Sequence, residues 1–187
     1  MSLSFFNEYI IMKERTPVAI SSDAFYFEKD KSNSILVLGV GNYVMGDEGV
    51  GVHTIQGFSK IELPNYIDIL DGGTGGFLLL SYFEAYKTII FIDATMDGKP
   101  EGTISLIRPK FAADFPSALS VHDVGLKDMV EAVYLMDHVP DIHLFTVSIN
   151  NIKPMYVGLS DRVKVALPKL QENILELCES LHIKASK

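Results

Sequence analysis

Apolar and polar positions fall into short blocks along this chain. Residues 35–40, ILVLGV, form an unbroken apolar run rich in β-formers, the mark of a strand buried on both faces. A helix is expected from about Asp47 to Phe58. YIDIL (66–70) predicts a second strand. GGFLLLSYFEAY (75–86) predicts a helix after a glycine turn, and TIIFIDA (88–94) a third, buried strand. GTISLIR (102–108) and IHLFTVSI (142–149) complete the set of strands. Leu126, Met129, Val130 and Val133 recur at i, i+3, i+4 and i+7, which predicts an amphipathic helix over 124–136. A tail helix is expected to open with Ser160 as its N-cap. Val163, Leu167, Leu170, Ile174, Leu177 and Leu181 form its apolar stripe, and Pro168 is expected to kink or divide it.

Strands alternating with helices predict an α/β fold, three layers α/β/α around a mostly parallel twisted sheet. GTISLIR follows the third strand after only TMDGKPE. That gap is too short for a parallel crossover, so this strand is expected to run antiparallel and the sheet to be mixed. Residues 1–33 lack this order and end in the polar EKDKSNS. They read as an N-terminal extension, and residues 34–187 as a single domain.

Composition narrows the function. The net charge is −8 and no Lys/Arg cluster stands out, which argues against a nucleic-acid or anionic-membrane surface. The single cysteine, Cys178, excludes an intramolecular disulfide and a cysteine-built zinc cage. No apolar run approaches the ~20 residues of a membrane span, and no secretory signal opens the chain. A reduced cytoplasmic protein is expected.

The candidate chemistry collects at the carboxyl ends of the strands, where open α/β sheets bind ligands. The first strand leads into GNYVMGDEGVGVH with Asp47 and Glu48, the second ends at Asp71, and the third carries Asp93. Carboxylates that share an edge repel each other unless a cation joins them. His122, in SVHDVGL just before the 124–136 helix, can reach the same edge. Glu48, Asp93 and His122 would then make an O,O,N ligand set with a vacant position, suited to zinc or nickel rather than calcium. Gly72, Gly73, Gly75 and Gly76 around Thr74 exceed what a turn needs and suggest a mobile binding loop. His53, five residues after Glu48, is turned away from it on a helix. A dinucleotide site fits poorly. The spacing is G-x-G-x-x-x-x-G, Asp71 comes late, and Asp47 and Glu48 would repel a pyrophosphate.

GNYVMGDEGVGVH, ILDGGTGG, FIDA and VHDVGL, in that order, resemble the hydrogenase maturation endopeptidases. The resemblance runs from Ile35 through YVGLS (156–160) to the tail helix. It implies a phosphorylase/hydrolase-like α/β fold. It also implies an endopeptidase that trims the C-terminal peptide from the large-subunit precursor of a nickel–iron hydrogenase after nickel insertion. The family's metal-binding Glu, Asp and His fall on Glu48, Asp93 and His122. Nickel would be borne by the substrate or bound at the site, with zinc or cadmium as surrogates. The resemblance places Asp71 and the segment Gly72, Gly73, Thr74, Gly75 and Gly76 beside the cleft, seating the peptide. Asp47 would be an N-cap, and Glu48 and Asp93 catalytic, with Asp71 as a general base. A monomer would suit a large protein substrate. A nickel-sensing or large-subunit-binding module that does not cut is the alternative.

Overall fold

The structure, a computed structural model, describes residue 31 and residues 34–109, 132–133 and 139–185. Five strands form one sheet: β1 Ile35–Val40, β2 Ile67–Gly73, β3 Thr88–Thr95, β4 Ile104–Ile107 and β5 Asp141–Ser148. Their order across the sheet is β2-β1-β3-β5-β4. The first four strands in that order are parallel. β4 is antiparallel, as its short lead-in requires, but pairs with β5 rather than β3. The helices are α1 Val50–Phe58, α2 Leu80–Ala85 and α3 Asp161–Ala185.

Alternation along the strands divides the core in two. Ile35 and Val37 of β1, with Ile90 and Ile92 of β3, pack under α1 and α3 against Val50, Ile55, Val163, Leu170 and Ile174. Leu36, Leu38, Ile89 and Phe91 face the other way, onto Tyr82 and Phe83 of α2 and onto Val133. Ala132 and Val133 are helical, and the rest of the helix expected over 124–136 lies outside the described residues. The expected three layers and mixed sheet are thus present.

Three elements depart from the sequence reading. The helix expected from Asp47 begins as a tight 3-10 turn, Gly46–Gly49, and becomes α-helical only at Val50. The helix expected over 75–86 is likewise a 3-10 turn, Gly76–Leu79, followed by the short α2. Glycine-rich sequence disfavours regular helix, which is why both helices start late. Finally, α3 runs through Pro168 undivided. Pro168 and Lys164 both lie on the exposed side, so the Lys164 carbonyl freed by the missing N–H faces water. The buried Val163, Leu170, Ile174 and Cys178 stripe holds the opposite side.

Cys178 is completely buried in that stripe, and burial pushes its thiol up to about 12. A thiol so protonated is a poor nucleophile. Iodoacetamide at pH 8 is therefore expected to leave Cys178 unlabelled in the native protein and to label it fully in urea, as read by intact mass.

Candidate active site

The glycines after β1 set how closely the layers approach. A Cβ on Gly51 would run into the carbonyl oxygens of Val40 and Ile92, so α1 rests directly on the backbones of β1 and β3. Gly41 has φ +124 and sits beneath the Glu48 carbonyl, a position that excludes a side chain on both counts. This tight turn folds Gly46–Gly49 back over the sheet edge, against β3.

Glu48 and Asp93 are both fully buried at 0 % exposure. Glu48 lies in the 3-10 turn that packs on β3, the strand that carries Asp93. Asp93 Oδ1 accepts the Ala94 N–H at 2.7 Å. Burial makes an anionic carboxylate expensive, and a cation beside two such oxygen-donor groups offsets that cost. The donor chemistry therefore fits a divalent metal at these two residues. His122, the third expected ligand, lies outside the described residues. Among the described residues no group of three or more His, Cys, Asp or Glu could hold a metal ion.

Asp47 does not cap α1. It is buried, and its Oδ1 accepts the backbone N–H of Ser160 at 2.6 Å, across 113 positions of sequence. Ser160 caps α3 as expected, its Oγ accepting the Val163 N–H at 3.4 Å and donating to Glu101 Oε1 at 2.9 Å. The sequence offered no signal for the Asp47 role, because the donor comes from the far end of the chain. Replacing Asp47 with Ala removes a charged acceptor from a half-buried N–H. A loss of about 2 kcal/mol is expected in urea unfolding, and the check is the shift in midpoint at constant slope.

A second tie binds the same two loops. Met45 and Tyr156 form an isolated parallel bridge, with Gly46 N donating to Tyr156 O and Tyr156 N to Val44 O, both at 3.0 Å. Lys153 N donates to Met45 O at 3.2 Å. The Glu48-bearing turn is therefore held between β3 and the segment leading into α3.

Asp71 lies near the end of β2, paired with Gly39, and the register slips past it so that Val40 pairs with Gly73. Gly72 is thus the extra residue of a bulge, a feature common beside active sites. Asp71 Oδ1 accepts the Gly73 N–H at 3.0 Å, while burial raises its pKa. β2 and β3 are separated by β1. Alternation sets Asp71 on the face of Ile67 and Ile69, and Asp93 on that of Ile89 and Phe91. Asp71 is therefore two strands away from Asp93, on the opposite side of the sheet. Gly72 and Gly73 belong to β2, and Gly41 N donates to Gly73 O at 2.9 Å. The glycine segment is consequently strand in its first half. Only Thr74 and Gly75 separate that strand from the turn that Gly76 opens.

Three other histidines lie among the described residues, and each packs against a neighbouring side chain. The His53 ring lies 4.7 Å from that of Tyr43, and burial lowers its pKa against the opposing pull of Asp47. Buried His143 sits 3.2 Å from Asp141, at the amino end of β5 and far from the carboxyl edge. His182 stacks on Tyr66 at 3.9 Å.

With this geometry in place, the relatives are informative. The family model described as hydrogenase maturation protease matches residues 52–177. The hydrogenase 2 maturation protease of Escherichia coli strain K12 is 34% identical over 151 residues, covering 78% of this chain and 92% of that protein. The hydrogenase expression/formation protein HupD of Bradyrhizobium diazoefficiens is 35% identical over 113 residues, 59% of each chain. HupD of Rhizobium leguminosarum is 36% identical over 110 residues, and the match spans 54% of its length. The solved structure of the hydrogenase maturating endopeptidase HybD from Escherichia coli superposes with TM-score 0.71 at 31% identity, covering 79% of this chain and 93% of that one. This chain belongs to the hydrogenase maturation protease family.

Proposed function

We propose that this protein is an endopeptidase that removes the C-terminal peptide from a nickel–iron hydrogenase large-subunit precursor once nickel has been inserted. The observation that carries this is the pair Glu48 and Asp93, fully buried yet set on the carboxyl edge of the sheet. Family membership supplies the reaction class. Glu48, Asp93 and His122 engage the nickel-bearing part of the precursor, with zinc or cadmium acceptable to the same donors. A metal bound there would supply positive charge to the scissile carbonyl and to an attacking water. Gly72, Gly73, Thr74, Gly75 and Gly76 offer backbone groups to an extended peptide. Asp71, expected as a general base, lies two strands from Asp93 on the opposite side of the sheet, and we assign it no proton transfer in this scheme. This metal-dependent scheme suits a monomer acting in the cytoplasm on a large protein. No helix among the described residues is long and apolar enough to cross a membrane.

The test is mass spectrometry of a large-subunit precursor, with and without inserted nickel, after mixing with the protein. Release of a C-terminal peptide from the nickel-loaded sample alone is expected. Stable binding without peptide release would instead support a nickel-sensing or large-subunit-binding module.

A further inference from the structure

Ten large apolar side chains are exposed among the described residues, and six of them sit in the loops that follow the parallel strands. Val44 follows β1, Leu78 follows β2, Met96 follows β3, and Met155, Tyr156 and Val157 follow β5. Each of the four loops at the carboxyl edge thus contributes at least one. The same edge holds Glu48, Asp71 and Asp93.

The part formed by 153–157 is built at a cost. Met155 is the only non-glycine residue with positive φ among the described residues, at 57°, and its side chain is 91% exposed. Left-handed backbone is unfavourable for a residue with a Cβ, and packing within the chain does not compensate it here. The turn is nevertheless held firmly. Tyr156 is bridged to Met45, and the Lys153 ammonium lies 3.7 Å over the Tyr156 ring. A rigid turn that displays a flexible thioether is suited to an irregular apolar partner.

We propose that this rim is a docking surface for the hydrogenase large-subunit precursor, gripping apolar side chains that flank the segment to be cut. The proposal rests on the function given above and deepens it. The occupant follows from continuity. Val44 is four residues from Glu48, Met96 three from Asp93, and the 153–157 turn is bonded to the Glu48 loop. Among the described residues the rim thus lies beside the carboxylates, and burying it against apolar groups is favourable. The carboxylates then read the chemistry of the substrate, and the rim supplies affinity for its protein part.

The experiment measures steady-state cleavage of the nickel-loaded precursor by wild type, Met155→Asp, Val157→Asp and Leu78→Asp. Val165→Asp, an exposed apolar position of α3 outside the rim, serves as control. Each rim variant is expected to raise KM about tenfold, the scale of one apolar contact replaced by a charge, with the loss in KM rather than kcat. Thermal unfolding should match wild type in all four variants, and Val165→Asp should match it in KM as well. Peptide release by wild type with an unchanged KM in the three rim variants would overturn the rim alone. If wild type neither binds nor cuts the precursor, both the function and the rim fall.

Discussion

Glu48→Gln is expected to abolish precursor cleavage without unfolding the protein. The amide preserves the shape of a side chain buried to 0 % exposure, so packing is retained. It removes the charge, and with it the anionic oxygen a cation requires. Loss of a partner that merely orients a metal ligand costs ~10–100-fold, so if Glu48 is the ligand we propose, its loss should cost at least about a hundredfold. Asp93→Asn should behave in the same way for the same reason. The measurement is the rate of C-terminal peptide release from the nickel-loaded precursor, alongside thermal unfolding. Because burying an anion is costly, neither neutral variant should melt earlier than wild type by more than a few degrees. Cleavage at wild-type rate by Glu48→Gln would remove this residue from the mechanism. A variant that melts early and loses activity would show only a structural role.

The second large effect concerns a residue with no side chain. Gly51→Ala should destabilise the protein by about 3 kcal/mol, at the upper end for overpacking. The added Cβ meets the carbonyl oxygens of Val40 and Ile92, which are backbone atoms of two sheet strands and cannot swing aside. To make room, α1 must lift off the sheet, and the Gly46–Gly49 turn that leads into it must move too. Activity should therefore fall together with stability, unlike the pattern for Glu48→Gln. Urea unfolding with a two-state fit gives the first number, and cleavage well below the melting temperature gives the second. Unchanged stability would mean that α1 approaches the strands less closely than described.

These two residues lie in one motif, yet they were unequally legible. β1 could be read to its exact ends, because a strand buried on both faces leaves an unbroken apolar run. The Gly-x-Gly turn could be recognised as a turn, and Asp71 and Asp93 could be placed near the carboxyl ends of their strands. The Ser160 cap was legible because capping is local. The role of Asp47 was not. Local rules make an Asp before a helix a cap, but its acceptor oxygen is taken by a backbone group 113 positions away. Likewise, Asp71 and Asp93 both lie near the ends of their strands, but only strand order and register show that β1 stands between those strands. That Pro168 does not divide its helix was not legible either, because the cost of a proline in a helix depends on whether the freed carbonyl reaches water, which sequence does not state. His122 lies outside the described residues, so its part in the ligand set rests on the sequence reading.

The pairing of the Glu48 turn with the start of α3 also bears on the order in which the chain acquires activity. Asp47 is tied to Ser160, and Met45 to Tyr156, more than a hundred residues downstream. Contacts so distant in sequence form late, after the loop-closure entropy between them has been overcome. On a ribosome, β1 and the carboxylate turn emerge long before the segment that clamps them. The nascent chain can therefore lay down its central strands early, but it should remain unable to cut until the last helix docks.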